Sequence, residues 1–258
     1  MKVVILAGGL GTRLAEETDR IPKPMVPIGP KPILWHVMKI YSQYGLNDFI
    51  VCAGYKAHTI VEYFVNYRLY NSNVSVDLGT SKTTCLNETR EAWNVTIIDT
   101  GPNTETGGRL RRIRDYLPPG EPFCMTYGDG VGNVNIEQAI DFHKQRKFTA
   151  TMTAVRPPSR FGSAVIQDGV VRAFSEKPVG GEGYINGGFF VLEHSVLDLI
   201  AGDGTVFEHD PMETLSRRGA LGAYVHGEFW HPMDTLRDRR YLEQLWNSGK
   251  APWKWWDD

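Results

Sequence analysis

Short apolar runs alternate with amphipathic segments through the first half of the chain. Four runs have the length and content of strands covered on both faces, and they are Val3–Leu6, Phe49–Cys52, Val95–Ile98 and Phe123–Tyr127. Between them, apolar residues recur at helical spacing, which predicts helices over Ile33–Tyr44, Thr59–Tyr67, Arg109–Tyr116 and Asn135–Gln145. This alternation is typical of an α/β protein with a Rossmann-like, mostly parallel mixed sheet and helices on both faces.

The pattern changes from Ala150 onward. The pair Asp168-Gly169 separates Val165-Ile166 from Val170–Phe174 and predicts a β-hairpin. Two further strands are expected at Gly188–Leu192 and Leu221–His226, with short helices at Ser195–Ile200 and Met212–Arg218. No linker rich in Pro, Gly or Ser divides the chain, so residues 1–258 are expected to form one domain. The segment Tyr70–Trp93 has no clear period and predicts no defined element.

The first predicted strand runs directly into a glycine-rich loop, Gly8–Leu14, which is followed by Pro22-Lys23-Pro24. Glycines let the backbone curl so that its N–H groups converge on a phosphate. Arg13 and Lys23 add two cations beside that loop. A triphosphate is the ligand that such a site holds most naturally.

Other glycine-rich loops fit this segment less well. The chain contains no Gly-x-x-x-x-Gly-Lys-Ser/Thr string, which a Walker A loop requires. In the dinucleotide fingerprint Gly-x-Gly-x-x-Gly, Leu14 stands where the third glycine should be, and Arg13 lies inside the loop. A tight turn without a ligand stays open as an alternative at this point.

Two aspartates follow predicted strands or short apolar stretches. Asp129 comes directly after the strand that ends at Tyr127, and Asp234 follows Trp230–Met233. Ligands of open parallel sheets lie outside the carboxyl ends of the strands. Two carboxylates beside a triphosphate loop suit Mg²⁺, which takes one or two carboxylates together with phosphate oxygens. Asp129 in a plain turn and Asp234 as a helix N-cap are the simpler alternatives.

The second half offers a cation and an amide at strand ends. Glu176-Lys177-Pro178 follows the strand Val170–Phe174, and a lysine fixed there can present a point charge to a second phosphate. Asn186-Gly187 offers a side-chain amide beside bare backbone, which suits sugar hydroxyls. An ordinary surface exit from a strand and a strand-entry turn are the alternatives.

Arginines and tryptophans are concentrated in two short segments. Arg109, Arg111, Arg112 and Arg114 share one predicted helix, and their spacing cannot place all four on one face. Arg109 lies nearest to Gly107-Gly108 and is the one expected to reach a ligand. The tail carries Trp246, Trp253, Trp255 and Trp256, which are expected to pack on the body or on another subunit.

Composition narrows the possible partners and the compartment. The formal net charge of −2 gives no reason to expect nucleic acid or membrane binding. No apolar run approaches the roughly 20 residues of a spanning helix, and the N-terminus lacks a signal-peptide pattern. Cys52, Cys85 and Cys124 are an odd number at wide spacing, which favours free thiols in a reducing compartment. We therefore expect a cytoplasmic protein.

These motifs together resemble the sugar-1-phosphate nucleotidyltransferase family, whose signature Gly-Gly-x-Gly-Thr-Arg-Leu followed by Pro-Lys-Pro is matched at Gly8–Leu14 and Pro22–Pro24. Its glucose-1-phosphate cytidylyltransferase branch is similar over nearly the whole chain. The matching segments are Trp93–Thr96, Asp99–Gly101, Thr106–Leu110, Tyr127–Val131, Ile185–Phe190, Pro232–Asp238 and Lys250–Lys254. The segment Leu78–Ala92 departs from the family pattern.

The resemblance implies a nucleotide-diphospho-sugar transferase fold with a small β-rich sugar-binding lobe. It implies synthesis of CDP-glucose and pyrophosphate from CTP and α-D-glucose 1-phosphate, at the entry to deoxysugar synthesis for surface polysaccharide such as the O-antigen of lipopolysaccharide. Residues 1–149 would form mainly the nucleotide-binding half, and residues 150–258 the sugar-phosphate half with the C-terminal helix and tail. A homo-oligomer, specifically a hexamer, is also implied. The same reaction with dTTP or UTP, a non-catalytic sugar-nucleotide-binding regulator and a nicotinamide-dependent oxidoreductase are alternatives, and Leu14 and Arg13 argue against the last.

The resemblance also assigns roles by motif. The catalytic residues would be Arg13, Lys23, Asp129 and Lys177, and Mg²⁺ would be held by Asp129 and Asp234. The sugar phosphate would be bound by Glu176, Lys177, Asn186 and Gly187. The nucleotide would be bound by Leu6, Ala7, Gly8, Gly9, Leu10, Gly11, Thr12, Arg13, Lys23, Thr104, Gly107, Gly108, Arg109 and Gly128.

Overall fold

The computed structural model describes residues 1–87, 91–157, 163–167, 170–175 and 183–256. The strands within these ranges are β1 (Val3–Leu6), β2 (Pro27–Ile28), β3 (Lys31–Pro32), β4 (Asp48–Ala53), β5 (Asn73–Asp77), β6 (Lys82–Leu86), β7 (Asn94–Asp99), β8 (Phe123–Tyr127), β9 (Gly130–Gly132), β10 (Ala150–Val155), β11 (Ser163–Gln167), β12 (Val170–Ser175), β13 (Ile185–Leu192), β14 (Leu221–His226) and β15 (Trp230–Pro232).

The α-helices are α1 (Ala15–Thr18), α2 (Ile33–Ser42), α3 (Ala57–Val65), α4 (Tyr67–Tyr70), α5 (Thr106–Arg112), α6 (Ile136–Arg146), α7 (Asp210–Arg217) and α8 (Leu236–Asn247). Short 3-10 helices cover Thr12–Leu14, Lys23–Met25, Arg114–Tyr116 and His194–Leu199. Among the described residues, no helix combines the length and the apolar content needed to cross a bilayer.

Seven strands form one sheet in the order β14-β10-β13-β8-β1-β4-β7. β1 is parallel to β4 and β8, β4 is parallel to β7, and β10 is parallel to β14. β13 runs antiparallel to both of its neighbours, β8 and β10. The sheet is therefore mixed and mostly parallel, as the sequence predicts. Because β8 pairs with β13, one sheet spans both halves of the chain.

Helices cover both faces of this sheet. Val3 and Ile5 of β1 pack in one apolar cluster with α2, whereas Val4 and Leu6 pack in a second cluster with α5 and α7. Successive side chains of a strand face opposite sides, so a strand in the middle of the sheet is apolar at every position. This explains why β1 is a continuous apolar run, and it confirms the predicted layers.

The predicted strands of the first half are confirmed to within one residue at each end. The helix predicted at Arg109 begins earlier, at Thr106, and its last turn is a 3-10 helix. The amides of Gly107 and Gly108 donate to the carbonyl oxygen of Thr205 at 2.9 and 3.2 Å. Tertiary packing thus starts the helix at residues whose own helix propensity is poor.

Several strands were not predicted from the sequence, among them the short strands β2, β3, β9 and β15. β5 and β6 pair as an antiparallel hairpin within the segment 70–93, and every residue of β5 is exposed. A hairpin with neither face buried has no apolar period to detect. β10 was missed as well, and it lies inside the sheet between β13 and β14.

The tryptophan-rich tail packs on the body around His36 of α2. Trp253 is fully buried, and the ring centroid of Trp246 lies 4.7 Å from that of His36. Nε2 of His36 donates to the carbonyl oxygen of Ile28 at 2.9 Å, and the indole N–H of Trp253 donates to Nδ1 at 3.4 Å. Burial lowers the pKa of His36 to about 4, so the ring is neutral at pH 7.

Candidate active site

Two glycines shape the loop that follows β1. Gly11 has φ +66°, which L side chains rarely adopt, and a Cβ there would lie 2.7 Å from the methyl group of Thr18. A Cβ on Gly8 would lie 2.0 Å from Nη1 of Arg109. Gly11 therefore lets the chain turn into its 3-10 helix, and Gly8 lets a guanidinium lie directly against the loop.

Lys23 follows this loop between two prolines. Pro22 and Pro24 restrict the backbone on either side of a lysine that is only 8% exposed. Its Nζ lies 2.7 Å from Oδ2 of Asp129 and 2.7 Å from Oδ1 of Asp234. The structure thus brings together three residues that are far apart in sequence and that the sequence assigned to one site.

Pairing of β9 with β15 places the two aspartates side by side. Gly130 opposes Pro232 in this antiparallel pair, and the N–H of Met233 donates to the carbonyl oxygen of Asp129 at 2.8 Å. Asp129 precedes β9 and Asp234 follows β15, so the carboxylates come from the same end of the ladder. After Asp234, the helix α8 begins with a capping box.

The carboxylates around Lys23 fit a hard divalent cation. Burial acts to lower the pKa of Lys23, but the charges and hydrogen bonds of Asp129 and Asp234 outweigh it and raise that pKa above its ordinary value. Mg²⁺ is typically bound by one or two carboxylates, with phosphate and water oxygens completing its shell. Among the described residues no group of three or more His, Cys, Asp or Glu forms a metal site. The chain thus offers a two-carboxylate site that a phosphate ligand would complete.

Two clefts meet at Asp129 and Tyr127. The first has a volume of about 290 Å³, and the predicted nucleotide-binding residues in its wall are Leu6, Ala7, Gly8, Gly9, Gly11, Thr12, Lys23, Thr104 and Arg109. The second has a volume of about 360 Å³, and its wall includes Asn186, Gly187 and Asp234. The residues predicted for the nucleotide and for the sugar phosphate therefore line adjoining clefts, with the three-residue charge cluster between them.

Arg109 is a buried cation that joins three strand ends. Its Nη1 donates to the hydroxyl of Thr100 at 2.7 Å and to the carbonyl oxygens of Gly101 and Ala53 at 2.8 and 3.2 Å. Its Nη2 donates to the carbonyl oxygen of Gly8 at 3.0 Å. Burial lowers its pKa, although a guanidinium stays charged at neutral pH. Arg109 thus fixes the glycine-rich loop to the ends of β4 and β7 and adds positive charge to the first cleft.

Of the predicted nucleotide-binding residues whose side chains the structure describes, four lie outside the wall of the first cleft. The amides of Gly107 and Gly108 donate to Thr205, as described above, and the amide of Gly128 donates to the carbonyl oxygen of Leu6 at 3.0 Å. The side chain of Leu10 is 50% exposed. The amides of these three glycines are committed to the fold itself.

The sequence profile of nucleotidyl transferases matches residues 2–241. The chain belongs to the nucleotidyl transferase family. It is 55% identical over 257 residues to a glucose-1-phosphate cytidylyltransferase of Salmonella typhi, with 100% of both chains covered. It is 43% identical over 257 residues to a probable glucose-1-phosphate cytidylyltransferase of Bacillus subtilis (strain 168), with 99% of this chain and 100% of that one covered.

A solved structure has the same fold. HddC from Yersinia pseudotuberculosis superposes with a TM-score of 0.69 at 25% identity, over 95% of this chain and 99% of that one. The predicted family and fold class are confirmed by these similarities.

The structure does not describe the side chains of three residues that the resemblance assigns to the site. Glu176 and Lys177 lie outside the described residues, and so does the side chain of Arg13, whose backbone lies in the 3-10 helix Thr12–Leu14. Their roles stay predictions.

Some residues of the site were not assigned from the sequence. Glu105 and Thr106 line the first cleft, and Tyr127 lines both clefts. Trp230 lines the second cleft, and its indole N–H donates to the carbonyl oxygen of Gly187 at 2.7 Å. Tyr127 could have been found, because it ends a predicted strand directly before Gly128-Asp129. The position of Trp230 depends on the pairing of β9 with β15, for which the sequence carries no signal.

Proposed function

We propose that this nucleotidyl transferase makes CDP-glucose and pyrophosphate from CTP and α-D-glucose 1-phosphate. The observation that carries the proposal is the position of Lys23, Asp129 and Asp234 at the junction of two clefts. Full-length similarity to the cytidylyltransferase of Salmonella typhi supports the choice of base and sugar. A site for two phosphorylated ligands needs cations where the phosphates meet and carboxylates that can hold a metal.

The reaction requires no added nucleophile. A phosphate oxygen of glucose 1-phosphate attacks the α-phosphorus of CTP, and the bond from that phosphorus to the oxygen bridging the β-phosphate breaks. Pyrophosphate leaves with the bonding electron pair. Since the attacking oxygen is already anionic at neutral pH, no general base is needed. Catalysis then rests on positioning and on neutralising charge.

Lys23 supplies the fixed part of that neutralisation. It stays protonated because two carboxylates raise its pKa, and its hydrogen bonds to these carboxylates hold the ammonium at the junction of the two clefts. Asp129 and Asp234 would hold Mg²⁺, which neutralises phosphate charge and stabilises the charge that builds on departing pyrophosphate. Once phosphate oxygens approach, the ammonium of Lys23 can exchange a carboxylate for a phosphate partner.

The two clefts divide the ligands between them. The glycine-rich loop and Arg109 would bind CTP in the first cleft, and Asn186 and Gly187 would bind the sugar in the second. Lys177, Glu176 and Arg13 complete the proposed set by family resemblance. We also propose that residues 1–258 form one domain, because the central sheet joins strands from both halves.

Assembly, compartment and metabolic place are further parts of the proposal. A homo-oligomer is supported by apolar side chains on the β5–β6 hairpin, where Val76 is 54% and Leu78 is 88% exposed. A cytoplasmic location is supported by Cys52, Cys85 and Cys124, which are free thiols. A place in the synthesis of deoxysugars for surface polysaccharide, including O-antigen, is proposed from the resemblance to the glucose-1-phosphate cytidylyltransferase branch.

A pyrophosphate-release assay tests the proposed reaction. Glucose 1-phosphate is incubated with CTP, UTP, dTTP, ATP or GTP, each with Mg²⁺ or with a chelator. We expect turnover that depends on Mg²⁺ and is highest with CTP. Higher turnover with dTTP or UTP would contradict the choice of base, and no turnover with any triphosphate would contradict the reaction itself in favour of a non-catalytic sugar-nucleotide-binding regulator.

A further inference from the structure

A chain of hydrogen bonds connects the two clefts through Glu208. Its Oε2 accepts from the hydroxyl of Thr106 at 2.5 Å, and its Oε1 accepts from the hydroxyl of Tyr127. The hydroxyl of Tyr127 in turn accepts from Nδ2 of Asn186 at 3.3 Å. Thr106 lines the first cleft, Asn186 lines the second, and Tyr127 lines both.

The carboxylate fixes the direction of every bond in this chain. An ionised carboxylate accepts hydrogen bonds and donates none. Tyr127 must therefore donate to Glu208, which leaves only its lone pairs for Asn186. On the other side, the hydroxyl of Thr106 donates to Glu208 and accepts from the N–H of Phe207 at 2.9 Å.

This direction and the N–H of Gly188 together determine how the amide of Asn186 is turned. Its Nδ2 faces the hydroxyl of Tyr127, and its Oδ1 accepts from the N–H of Gly188 at 2.8 Å. These two hydrogen bonds leave one N–H of Nδ2 and one lone pair of Oδ1 unused, and Asn186 lines the second cleft. The sugar therefore meets a donor and an acceptor at fixed positions, instead of an amide that can flip.

We propose that Glu208 is a positioning residue for sugar recognition, which acts through Tyr127 by fixing the orientation of the Asn186 amide. The inference rests on the proposed function, since it assumes that the second cleft binds the sugar of a sugar 1-phosphate. Glu208 lies in the wall of neither cleft, so it acts without touching the sugar. Discrimination between epimeric sugars depends on donors and acceptors at fixed positions, because a mismatched hydroxyl leaves a polar group unpaired.

The phenol of Tyr127 stays protonated in this arrangement. Burial, and then the negative charge of Glu208, raise the pKa of Tyr127 well above that of a free tyrosine. The phenol ring packs edge-on against Phe190, with ring centroids 6.1 Å apart. The ring and the hydroxyl of Tyr127 are thus both held in place. Through this residue, Glu208 limits the orientation of the Asn186 amide.

The substitution Glu208→Gln removes the constraint with little change in shape. In glutamine an NH2 donor replaces one of the two carboxylate oxygens, so the hydroxyls of Thr106 and Tyr127 can no longer each donate to an oxygen of their own. If Tyr127 donates towards Asn186 instead, the flipped amide would place Nδ2 against the N–H of Gly188. We expect the KM for glucose 1-phosphate to rise about tenfold, with kcat and the KM for CTP changed less than about threefold.

The measurement that decides the question is the discrimination between sugars. The ratio of kcat/KM for glucose 1-phosphate to that for galactose 1-phosphate and mannose 1-phosphate is measured for the wild-type chain, Glu208→Gln and Glu213→Gln. Glu213 is an exposed glutamate of the neighbouring helix α7, paired with Arg217, and serves as the matched control. We expect the ratio to fall about tenfold in Glu208→Gln and to stay unchanged in the control. A general structural defect would lower turnover of the three sugars alike and would overturn the inference.

Two further variants keep the result interpretable. Tyr127→Phe breaks the chain at its middle while keeping the ring, so it should reproduce the loss of discrimination even if Glu208→Gln folds poorly. In an Asn186→Ala background, Glu208→Gln should cause no further loss of discrimination, because both changes act on one contact. Full discrimination in Tyr127→Phe, or additive losses in the double variant, would overturn the inference. A wild-type chain that turns over no sugar 1-phosphate would instead overturn the proposed function.

Discussion

Lys23 is the residue on which the charge balance of the site depends. Without ligands its ammonium stands between the carboxylates of Asp129 and Asp234 and prevents their mutual repulsion. The sequence predicted that these three residues share a site, because each follows a strand end or a glycine-rich loop. It could not predict that Lys23 lies between the two carboxylates, since that geometry depends on which short strands pair across the sheet edge.

Replacing Lys23 by methionine should remove the ammonium between the two carboxylates and make their stability depend on a bound metal ion. Without metal, the loss of the ammonium between the two carboxylates should lower the free energy of unfolding of Lys23→Met by about 3 kcal/mol. Added Mg²⁺ should raise the melting temperature of Lys23→Met more than that of the wild type, because the ammonium no longer competes for the carboxylates. The measurement is thermal unfolding across a Mg²⁺ titration.

Lys39→Met provides the matched control for this prediction. Lys39 is a partly buried lysine that pairs with Glu91 at 3.1 Å, away from both clefts. Mg²⁺ should shift its melting temperature no more than that of the wild type. An equal Mg²⁺ response in Lys23→Met and wild type would show that the two carboxylates do not share a cation.

At the scale of elements, the loop after β1 is held by the strand ends around it. Four hydrogen bonds from Arg109 connect this loop to the ends of β4 and β7. The sequence predicted these strands well, because their apolar runs are continuous. It missed the β5–β6 hairpin, whose exposed faces carry no period, and it predicted Arg109 as a ligand contact without its role in joining strands.

The change Arg109→Lys should loosen this connection while keeping the charge. A single ammonium cannot span the carbonyl oxygen of Gly8 and the acceptors of Thr100 and Gly101, which the planar guanidinium reaches together. We expect the free energy of unfolding to fall by about 2 kcal/mol and the KM for CTP to rise. Denaturant unfolding and initial rates measure the two effects.

Arg112→Lys is the corresponding control on the same helix. Arg112 forms an exposed pair with Asp203 at 2.6 Å, so its replacement should change the free energy of unfolding by less than about 0.5 kcal/mol. If Arg109→Lys were as harmless as Arg112→Lys in both measurements, Arg109 would have no part in holding the loop.

At the scale of the whole molecule, the C-terminal tail closes the core beside α2. The sequence predicted that the tryptophans would pack on the body or on another subunit, and Trp253 is fully buried on the body whereas Trp255 is 47% exposed. The sequence could not identify His36 as the residue that the tryptophans contact, because a histidine on an apolar helix face does not indicate which side chains pack against it. The order of strands in the sheet was equally beyond prediction, since apolar runs do not specify their neighbours.

Neutral His36 makes the packed tail sensitive to acid. Burial lowers the pKa of this ring from 6.5 to about 4, so between these values the unfolded chain binds a proton that the folded chain does not. Stability should therefore be fully present above pH 6.5 and fall as the pH decreases towards 4. At pH 4.5 this one group should lower the free energy of unfolding by about 2–3 kcal/mol relative to pH 7.5.

Denaturant unfolding of His36→Gln at both pH values isolates this contribution. The variant should be less stable than the wild type at pH 7.5, but its loss between pH 7.5 and 4.5 should be smaller. His58→Gln, at an exposed position of α3, should keep the wild-type pH dependence. Identical pH dependence in His36→Gln and wild type would mean that His36 is not buried in its neutral form.

Pyrophosphate release across a Mg²⁺ titration, with saturating CTP and glucose 1-phosphate, tests the two-carboxylate site most directly. Wild type is compared with Asp129→Asn, Asp234→Asn, the double variant, and Asp48→Asn, whose partner is the half-buried Lys2. We predict that each single site variant loses at least about 100-fold in turnover while still folding, and that the double variant loses little more, because both carboxylates act on one cation. Asp48→Asn should match wild type. Turnover near the wild-type level in both single site variants, with an unchanged Mg²⁺ response, would contradict a metal held between these clefts.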